Sequence, residues 1–102
     1  MSEVRAAALV DLSPERPVSV DLAGTRVALV RIGDEVFALD DACRHQGGPL
    51  GEGILRGNRL ACPWHGWMYD VRSGQCVFPQ RGGPVPSYPV RIVGGEVWVQ
   101  LP

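Results

Sequence analysis

Two closely spaced cysteine–histidine pairs constrain the fold of this 102-residue chain more than any other feature. Cys43 and His45 form a C-x-H pair, Cys62 and His65 form a C-x-x-H pair, and 16 residues separate the two pairs. Each pair lies in a turn-prone segment and is short enough for both side chains to point at one ion or cluster. A lone cysteine or histidine is usually a packed or surface residue, but four in two tight pairs reverse that expectation. The sequence therefore predicts two loops that converge on one metal centre.

Outside the two pairs the pattern is typical of short β-strands joined by tight turns. The chain contains 13 glycines and 9 prolines, which favour turns over long helices. Apolar and polar residues alternate with a period of two at residues 18–22 and 97–101, so each segment has one apolar face. Gly33-Asp34 and Gly94-Gly95 supply the backbone freedom that two-residue hairpins need. Strands are predicted at residues 18–22, 26–32, 36–39, 67–71, 75–78, 88–93 and 96–101.

Two long segments do not follow the strand pattern. Residues 41–59 are rich in glycine and turn residues, and residues 79–89 form a second irregular stretch. Loops that bury little apolar surface usually owe their order to something else, and a bound metal centre is one candidate. The one helical signal is Ser13-Pro14-Glu15, a helix N-cap followed by proline, which predicts about one turn.

Composition and charge exclude several classes of partner. Ten basic residues against eleven acidic ones give a net charge of −1, which offers no general attraction for nucleic acid. The sequence shows neither an export signal nor a membrane-spanning apolar run, so we expect a cytoplasmic protein without membrane contact. Three cysteines, an odd number, favour reduced thiols over disulfides. Cys76 has no ligand partner nearby and is predicted to be a buried core residue.

The residues around both pairs resemble the Rieske iron–sulfur signature. The matching segments are C-R-H-Q-G-G-P-L from Cys43 and C-P-W-H-G-W-M-Y-D from Cys62. Residues 82–86 resemble the family's proline loop, which covers the cluster, and residues 88–99 resemble its final hairpin. The likeness extends well beyond the spacing of the four candidate ligands.

The resemblance implies an all-β fold and a ligand set. The expected fold is a Rieske-like antiparallel β-sandwich or barrel, one domain over residues 1–102, with a small cluster-binding subdomain of two loops at 41–50 and 62–69. By the same resemblance the chain binds one [2Fe–2S] cluster. The implied ligands are Cys43 and Cys62 on one iron, and His45 and His65 on the other.

The resemblance also carries an expectation for the reduction potential. Two thiolates leave the oxidised cluster about neutral, whereas four leave it at about −2, so Rieske potentials lie at roughly −150 to +300 mV. Gly48 and Trp64 stand where high-potential members have a further pair of cysteines, and Trp67 stands where they have a sulfur-bonding serine. Fewer donors predict a potential at the low end of the range. Tyr69, whose hydroxyl can reach a ligand sulfur, acts in the opposite direction.

The function that the resemblance implies is electron transfer rather than catalysis. A soluble Rieske-type ferredoxin carries single electrons from an NAD(P)H-dependent flavin reductase to a terminal oxygenase. We expect it to dock transiently with each partner and to be a monomer. A mononuclear iron oxygenase site needs two histidines and a carboxylate, and both histidines of this chain are already assigned. We therefore expect the chain not to be an enzyme by itself.

Acidic residues offer one hypothesis for docking. A rim of carboxylates near the cluster would steer a basic reductase, although surface charges of this kind are more often simply solvated. The candidates are Asp34, Glu35, Asp40, Asp41 and Glu52.

Two alternative functions remain open. The small Rieske-like subunit of an assimilatory nitrite reductase has a similar length and the same terminal hairpin. In the other alternative, the same four residues complete a tetrahedral zinc site in a non-redox interaction module. Colour distinguishes an iron–sulfur cluster from zinc, which is spectroscopically silent.

Overall fold

Short antiparallel strands account for most of the structure. The computed structural model describes residues 2–80 and 82–102, which contain eleven strands and two one-turn 3-10 helices, Leu9–Asp11 and Leu50–Glu52. In this described part no helix is long and apolar enough to cross a membrane. The strands are β1 (Ser2–Ala8), β2 (Val18–Leu22), β3 (Thr25–Ile32), β4 (Glu35–Asp40), β5 (Ile54–Arg56), β6 (Arg59–Ala61), β7 (Met68–Asp70), β8 (Cys76–Phe78), β9 (Ser87–Tyr88), β10 (Val90–Val93) and β11 (Glu96–Leu101).

The strands form three antiparallel sheets, so the predicted all-β architecture is confirmed. Their strand orders are β1-β11-β10, β2-β3-β4-β9 and β5-β6-β7-β8. Both predicted two-residue hairpins are present, because Ile32 pairs with Glu35 across one turn and Val93 pairs with Glu96 across the other. Gly33 at the first turn has a φ of +62°, a conformation that glycine adopts without strain.

Strand β3 lies between two hydrophobic cores. Val27 and Leu29 face the first core, Ala28 and Val30 face the second, and all four are fully buried. The first, which we call the basal core, consists of Leu12, Leu22, Val27, Leu29, Val36, Ala38, Val97, Val99 and Leu101. The second, the ligand-side core, consists of Ala28, Val30, Leu39, Cys43, Leu50, Leu60, Cys62, Tyr69, Val71, Cys76 and Val85. The predicted burial of Cys76 is thereby confirmed.

Local structure differs from the sequence prediction at the N-terminus and in the middle of the chain. The alternation rule does not predict β1, which is alanine-rich, or the three-residue strands β5 and β6. The predicted helical turn at residues 13–15 is wrong. Arg16 N–H donates to Ser13 O at 3.2 Å, and Glu15 has a φ of +64°, which lies outside the right-handed helical region. These residues therefore form a turn.

Candidate metal centre

The first ligand loop, residues 41–50, begins at the end of β4 and reaches the ligand-side core at Leu50. Two backbone hydrogen bonds close its tip: Cys43 N–H donates to Gly48 O at 2.9 Å, and Gly47 N–H donates to Cys43 O at 2.8 Å. Gly47 has a φ of +75°, which favours glycine at this position. In the closed loop Cys43 is buried and His45 is exposed.

The second ligand loop, residues 62–69, repeats this closure. Cys62 N–H donates to Trp67 O at 2.7 Å, and Gly66 N–H donates to Cys62 O at 3.0 Å. Gly66 has a φ of +76°, like its counterpart in the first loop. Cys62 is buried and His65 is exposed, so each loop combines one buried sulfur with one exposed imidazole.

The four predicted ligands meet as a cysteine pair and a histidine pair. The His45 and His65 ring centroids are 4.8 Å apart, with the rings edge to face at 76°. Cys43 and Cys62 are only 3% and 5% exposed. In residues 2–80 and 82–102, no three histidine, cysteine or acidic side chains are grouped closely enough to bind one ion. This pairing fits a binuclear centre, in which each iron takes two protein donors and two sulfides.

The environment of Cys62 combines burial with nearby backbone dipoles. Burial raises the pKa of the Cys62 thiol most strongly, and contact with the Cys43 thiol raises it further. The backbone N–H groups of Trp64 and His65 lower that pKa, because they stabilise negative charge on the sulfur. A bound cation would favour the thiolate in the same way, as a metal–thiolate site requires.

Gly48 keeps the space beside the Cys62 sulfur open. A Cβ at Gly48 would lie 2.7 Å from Cys62 Sγ and 3.0 Å from Trp64 Cδ2. Gly48 and Trp64, the two positions that the resemblance matches to the extra cysteines of high-potential Rieske proteins, are therefore neighbours here, and neither is a cysteine. Two buried thiols and two exposed imidazoles fit a [2Fe–2S] cluster.

Tyr69 connects the first ligand loop to β7. The side chain is fully buried, and its hydroxyl lies 3.3 Å from Cys43 Sγ and accepts a hydrogen bond from Arg44 N–H at 2.9 Å. Because the oxygen already accepts from Arg44, the hydroxyl hydrogen is available to the sulfur. Burial, followed by contact with Cys43, raises the pKa of Tyr69, so the hydroxyl keeps its proton. The prediction that this hydroxyl can reach the sulfur of a candidate ligand is confirmed, and the structure identifies that sulfur as Cys43 Sγ.

The covering loop, residues 82–86, lies against both ligand loops. A Cβ at Gly82 would lie 2.9 Å from Trp67 Cζ3, and one at Gly83 would lie 3.4 Å from Arg44 Nε. Val85 anchors the loop, since it is buried in the ligand-side core and its N–H donates to Gly74 O at 2.9 Å. The loop thus contacts each ligand loop through a glycine.

The two imidazoles have different neighbours. The His45 ring stacks on the indole of Trp67, with centroids 4.7 Å apart and planes 14° apart. The His65 ring instead has a hydrogen bond, with 2.7 Å between its Nε2 and Gln46 Oε1. Sequence reasoning did not single out Gln46. Its position next to His45 at a predicted loop tip was the available signal.

Asp41 anchors the base of the first ligand loop. The side chain is buried, and its Oδ1 accepts hydrogen bonds from Ser19 Oγ at 2.8 Å and from Gly51 N–H at 2.7 Å. Arg26 lies 3.6 Å from the other carboxylate oxygen. These contacts connect the loop to strands β2 and β3.

The hypothesis of an acidic rim near the cluster is wrong for Asp34, Glu35 and Asp41, whereas for Asp40 and Glu52 it stays a prediction. Asp41 is buried, and Asp34 and Glu35 lie at the β3–β4 hairpin. That hairpin and the first ligand loop are at opposite ends of β4, roughly 15–20 Å apart for a six-residue strand. Asp34 and Glu35 are also paired, with Arg31 and Arg72 respectively.

A comparison with known protein families gives the class of the site. The Rieske [2Fe-2S] domain matches residues 2–89. The chain therefore belongs to the Rieske [2Fe-2S] domain family, and its cofactor is one [2Fe–2S] cluster rather than zinc.

Similar sequences include ferredoxin subunits and a larger enzyme. The anthranilate 1,2-dioxygenase ferredoxin subunit of Burkholderia cepacia is 37% identical over 93 residues, covering 90% of this chain and 86% of that protein. Methylxanthine N1-demethylase NdmA of Pseudomonas putida is 36% identical over 92 residues, covering 83% of this chain. The match covers only 26% of the demethylase, so this chain corresponds to about a quarter of it.

Similar solved structures include ferredoxins and a nitrite reductase small subunit. The ferredoxin of carbazole 1,9a-dioxygenase from Nocardioides aromaticivorans IC177 has a TM-score of 0.94 and 33% identity over all of both chains. A chain in a complex of reduced oxygenase and oxidized ferredoxin in carbazole 1,9a-dioxygenase has a TM-score of 0.88 and 30% identity. The match covers 98% of this chain and 97% of that chain. A small subunit assigned to an NADH-dependent nitrite reductase of Mycobacterium tuberculosis has a TM-score of 0.87 and 29% identity. The match covers 99% of this chain and 96% of that subunit.

Proposed function

We propose that this chain is a Rieske-type ferredoxin, a one-electron carrier. Its cluster is held by Cys43 and Cys62 on one iron and by His45 and His65 on the other. The observation that carries the proposal is the repeated loop closure, which buries one sulfur and exposes one imidazole in each ligand loop. When bound, the cluster supplies reversible one-electron oxidation and reduction. The exposed imidazoles then give the electron a short route to the surface.

The proposed electron donor is an NAD(P)H-dependent flavin reductase, and the proposed acceptor is a terminal oxygenase, both in the cytoplasm. Two relatives that match most of this chain are named as ferredoxins of dioxygenase systems, which supports the proposal. A similar ferredoxin has been solved in a complex with its oxygenase. The role of carrier rather than catalyst also agrees with the sequence, whose only two histidines are both assigned to the cluster.

The exposed tip of the two ligand loops is the proposed docking surface. Trp64, next to His65, is 55% exposed, and Arg44 is exposed beside the covering loop. A small surface of this kind fits a transient contact made by a monomer, at the low end of interface sizes.

Electron delivery by the purified protein tests the proposal. With NADH and the reductase of a dioxygenase system, the visible absorbance of the cluster should bleach, and adding the matching oxygenase with its substrate should restore it. Cys62→Ala should abolish both changes, whereas Cys76→Ala, which alters a buried cysteine outside the ligand set, should retain them. A Cys62→Ala protein that keeps its colour and its turnover would contradict the proposed ligands.

A second candidate function is that of a nitrite reductase small subunit, which the similar Mycobacterium tuberculosis structure favours. Rapid oxidation of the reduced protein by a nitrite reductase large subunit, without oxidation by any oxygenase, would select this alternative.

A further inference from the structure

Gln46 connects the tip of the first ligand loop to the second. Its Oε1 lies 2.7 Å from His65 Nε2, although the two residues are 19 positions apart. The backbone that follows Gln46 is held, since the adjacent Gly47 N–H donates to Cys43 O at 2.8 Å. Both side chains are exposed, so burial does not force this contact. The contact is a side-chain hydrogen bond that joins the two ligand loops.

The chemistry of a carboxamide oxygen determines what this link does to the imidazole. The oxygen has no hydrogen to donate, so the hydrogen bond requires a proton on His65 Nε2. In a neutral imidazole the lone pair is then on Nδ1, and a lone pair is what a metal ligand must present. An acceptor on the outward nitrogen also fixes the orientation of the ring and makes the ligating nitrogen more basic.

The other histidine is held in a different way. His45 stacks flat on Trp67, and its edge-to-face contact with His65 is the only ring contact that the two imidazoles share in the described residues. Removal of the Gln46 carboxamide should consequently change one imidazole and leave the stacked one in place. This difference makes the effect of Gln46 specific to one iron ligand.

We propose that Gln46 is a positioning residue for His65: its carboxamide oxygen holds the outward N–H and directs Nδ1 to the iron. The inference rests on the proposed function, because it requires His65 to be a cluster ligand. Gln46 itself does not contact the cluster in this account. It acts through the ring that it orients.

The test is pulsed EPR of the reduced holoprotein labelled with 15N-histidine. The chain has only two histidines, so the nitrogen couplings belong to His45 and His65. The variants are Gln46→Ala, which removes the acceptor, and Gln46→Glu, which keeps an acceptor oxygen and adds a negative charge. Matched controls are Gln75→Ala and Gln75→Glu, because Gln75 is an exposed glutamine that directly precedes β8 and lies outside both ligand loops.

We expect Gln46→Ala to change one of the two nitrogen couplings and leave the other at its wild-type value. Gln46→Glu should keep both couplings near wild type and lower the reduction potential more than Gln75→Glu does. If Gln46→Ala and Gln75→Ala have the same two couplings and the same potential, the positioning role is overturned. If the wild-type protein lacks two histidine couplings, the proposed ligand set fails and this inference fails with it.

Discussion

Single contacts to the cysteine sulfurs control how much negative charge the site stabilises. The Tyr69 hydroxyl is one such contact, since it can donate to Cys43 Sγ while it accepts from Arg44 N–H. Tyr69→Phe should lower the reduction potential, because the reduced cluster loses a donor. The same change should reduce the free energy of unfolding by about 1 kcal/mol, the net value of a typical hydrogen bond. Redox titration and chemical denaturation measure the two effects.

Tyr88→Phe is the matched control for Tyr69→Phe. The Tyr88 hydroxyl is bonded to Asp40 at 3.3 Å and is not in contact with either cysteine sulfur. The potential of Tyr88→Phe should remain at the wild-type value. If Tyr69→Phe and Tyr88→Phe have equal reduction potentials, the Tyr69 hydroxyl does not donate a hydrogen bond to the Cys43 sulfur. The same redox titration of the wild-type protein tests the prediction that its reduction potential lies at the low end of the Rieske range.

Gly48 tests the geometry at the other cysteine. A Cβ there would lie 2.7 Å from Cys62 Sγ, so Gly48→Ala must displace either the sulfur or the Trp64 ring. We expect a lower iron content per chain and a loss of about 1–3 kcal/mol in the free energy of unfolding from overpacking. Gly83→Ala is the control, since its Cβ would meet the flexible end of Arg44 at 3.4 Å. Equal iron contents in the two variants would show that the site tolerates a side chain at position 48.

At the level of secondary-structure elements, the first ligand loop depends on its attachment to β2. Asp41→Ala would leave Ser19 Oγ and Gly51 N–H without their acceptor in a buried setting. An unsatisfied buried group costs about 1–3 kcal/mol, so the melting temperature of the holoprotein should fall. Asp41→Asn keeps an oxygen at the same place and should melt closer to wild type. If Asp41→Ala melts like wild type, the loop does not depend on this anchor.

The elements that the sequence predicted are those in which local pattern and tertiary packing agree. In β3, the alternation of Val27 and Leu29 with Ala28 and Val30 matches two real cores, one on each face. β1 carries three consecutive alanines and becomes a strand because it pairs with β11 along nearly its whole length. Propensity cannot show such a partner, since it lies about 90 residues away in sequence. Glu15 likewise adopts a left-handed φ that its proline neighbour does not indicate.

The sequence indicated the four candidate ligands, whose role stays a prediction, but it did not indicate all of the residues that support them. The C-x-H and C-x-x-H pairs carry the chemistry in their spacing, and the structure places each pair in a closed loop. Asp41 was not predictable as an anchor, because an aspartate that follows a strand is usually solvated. Its burial depends on Ser19 and Gly51, which only the folded chain brings together.

On the scale of the whole molecule, the two cores should respond differently to loss of the cluster. The ligand-side core contains Cys43 and Cys62, whereas the basal core contains no predicted ligand. Removal of the cluster by chelation should therefore lower the melting temperature and accelerate amide hydrogen exchange in β5 to β8. The amides of β2, β3 and β11 should keep more of their protection. Equal melting temperatures before and after chelation would contradict a role for the cluster in ordering the loops.

We propose that two cysteine sulfurs bind one iron of the cluster and two imidazoles bind the other. Mössbauer spectroscopy of the 57Fe-labelled protein tests this most directly. We predict two iron environments in equal amounts in the oxidised protein. On one-electron reduction the ferrous signal should appear only at the nitrogen-bound iron, because neutral imidazoles donate less charge than thiolates. A single environment shared by both irons would contradict the account.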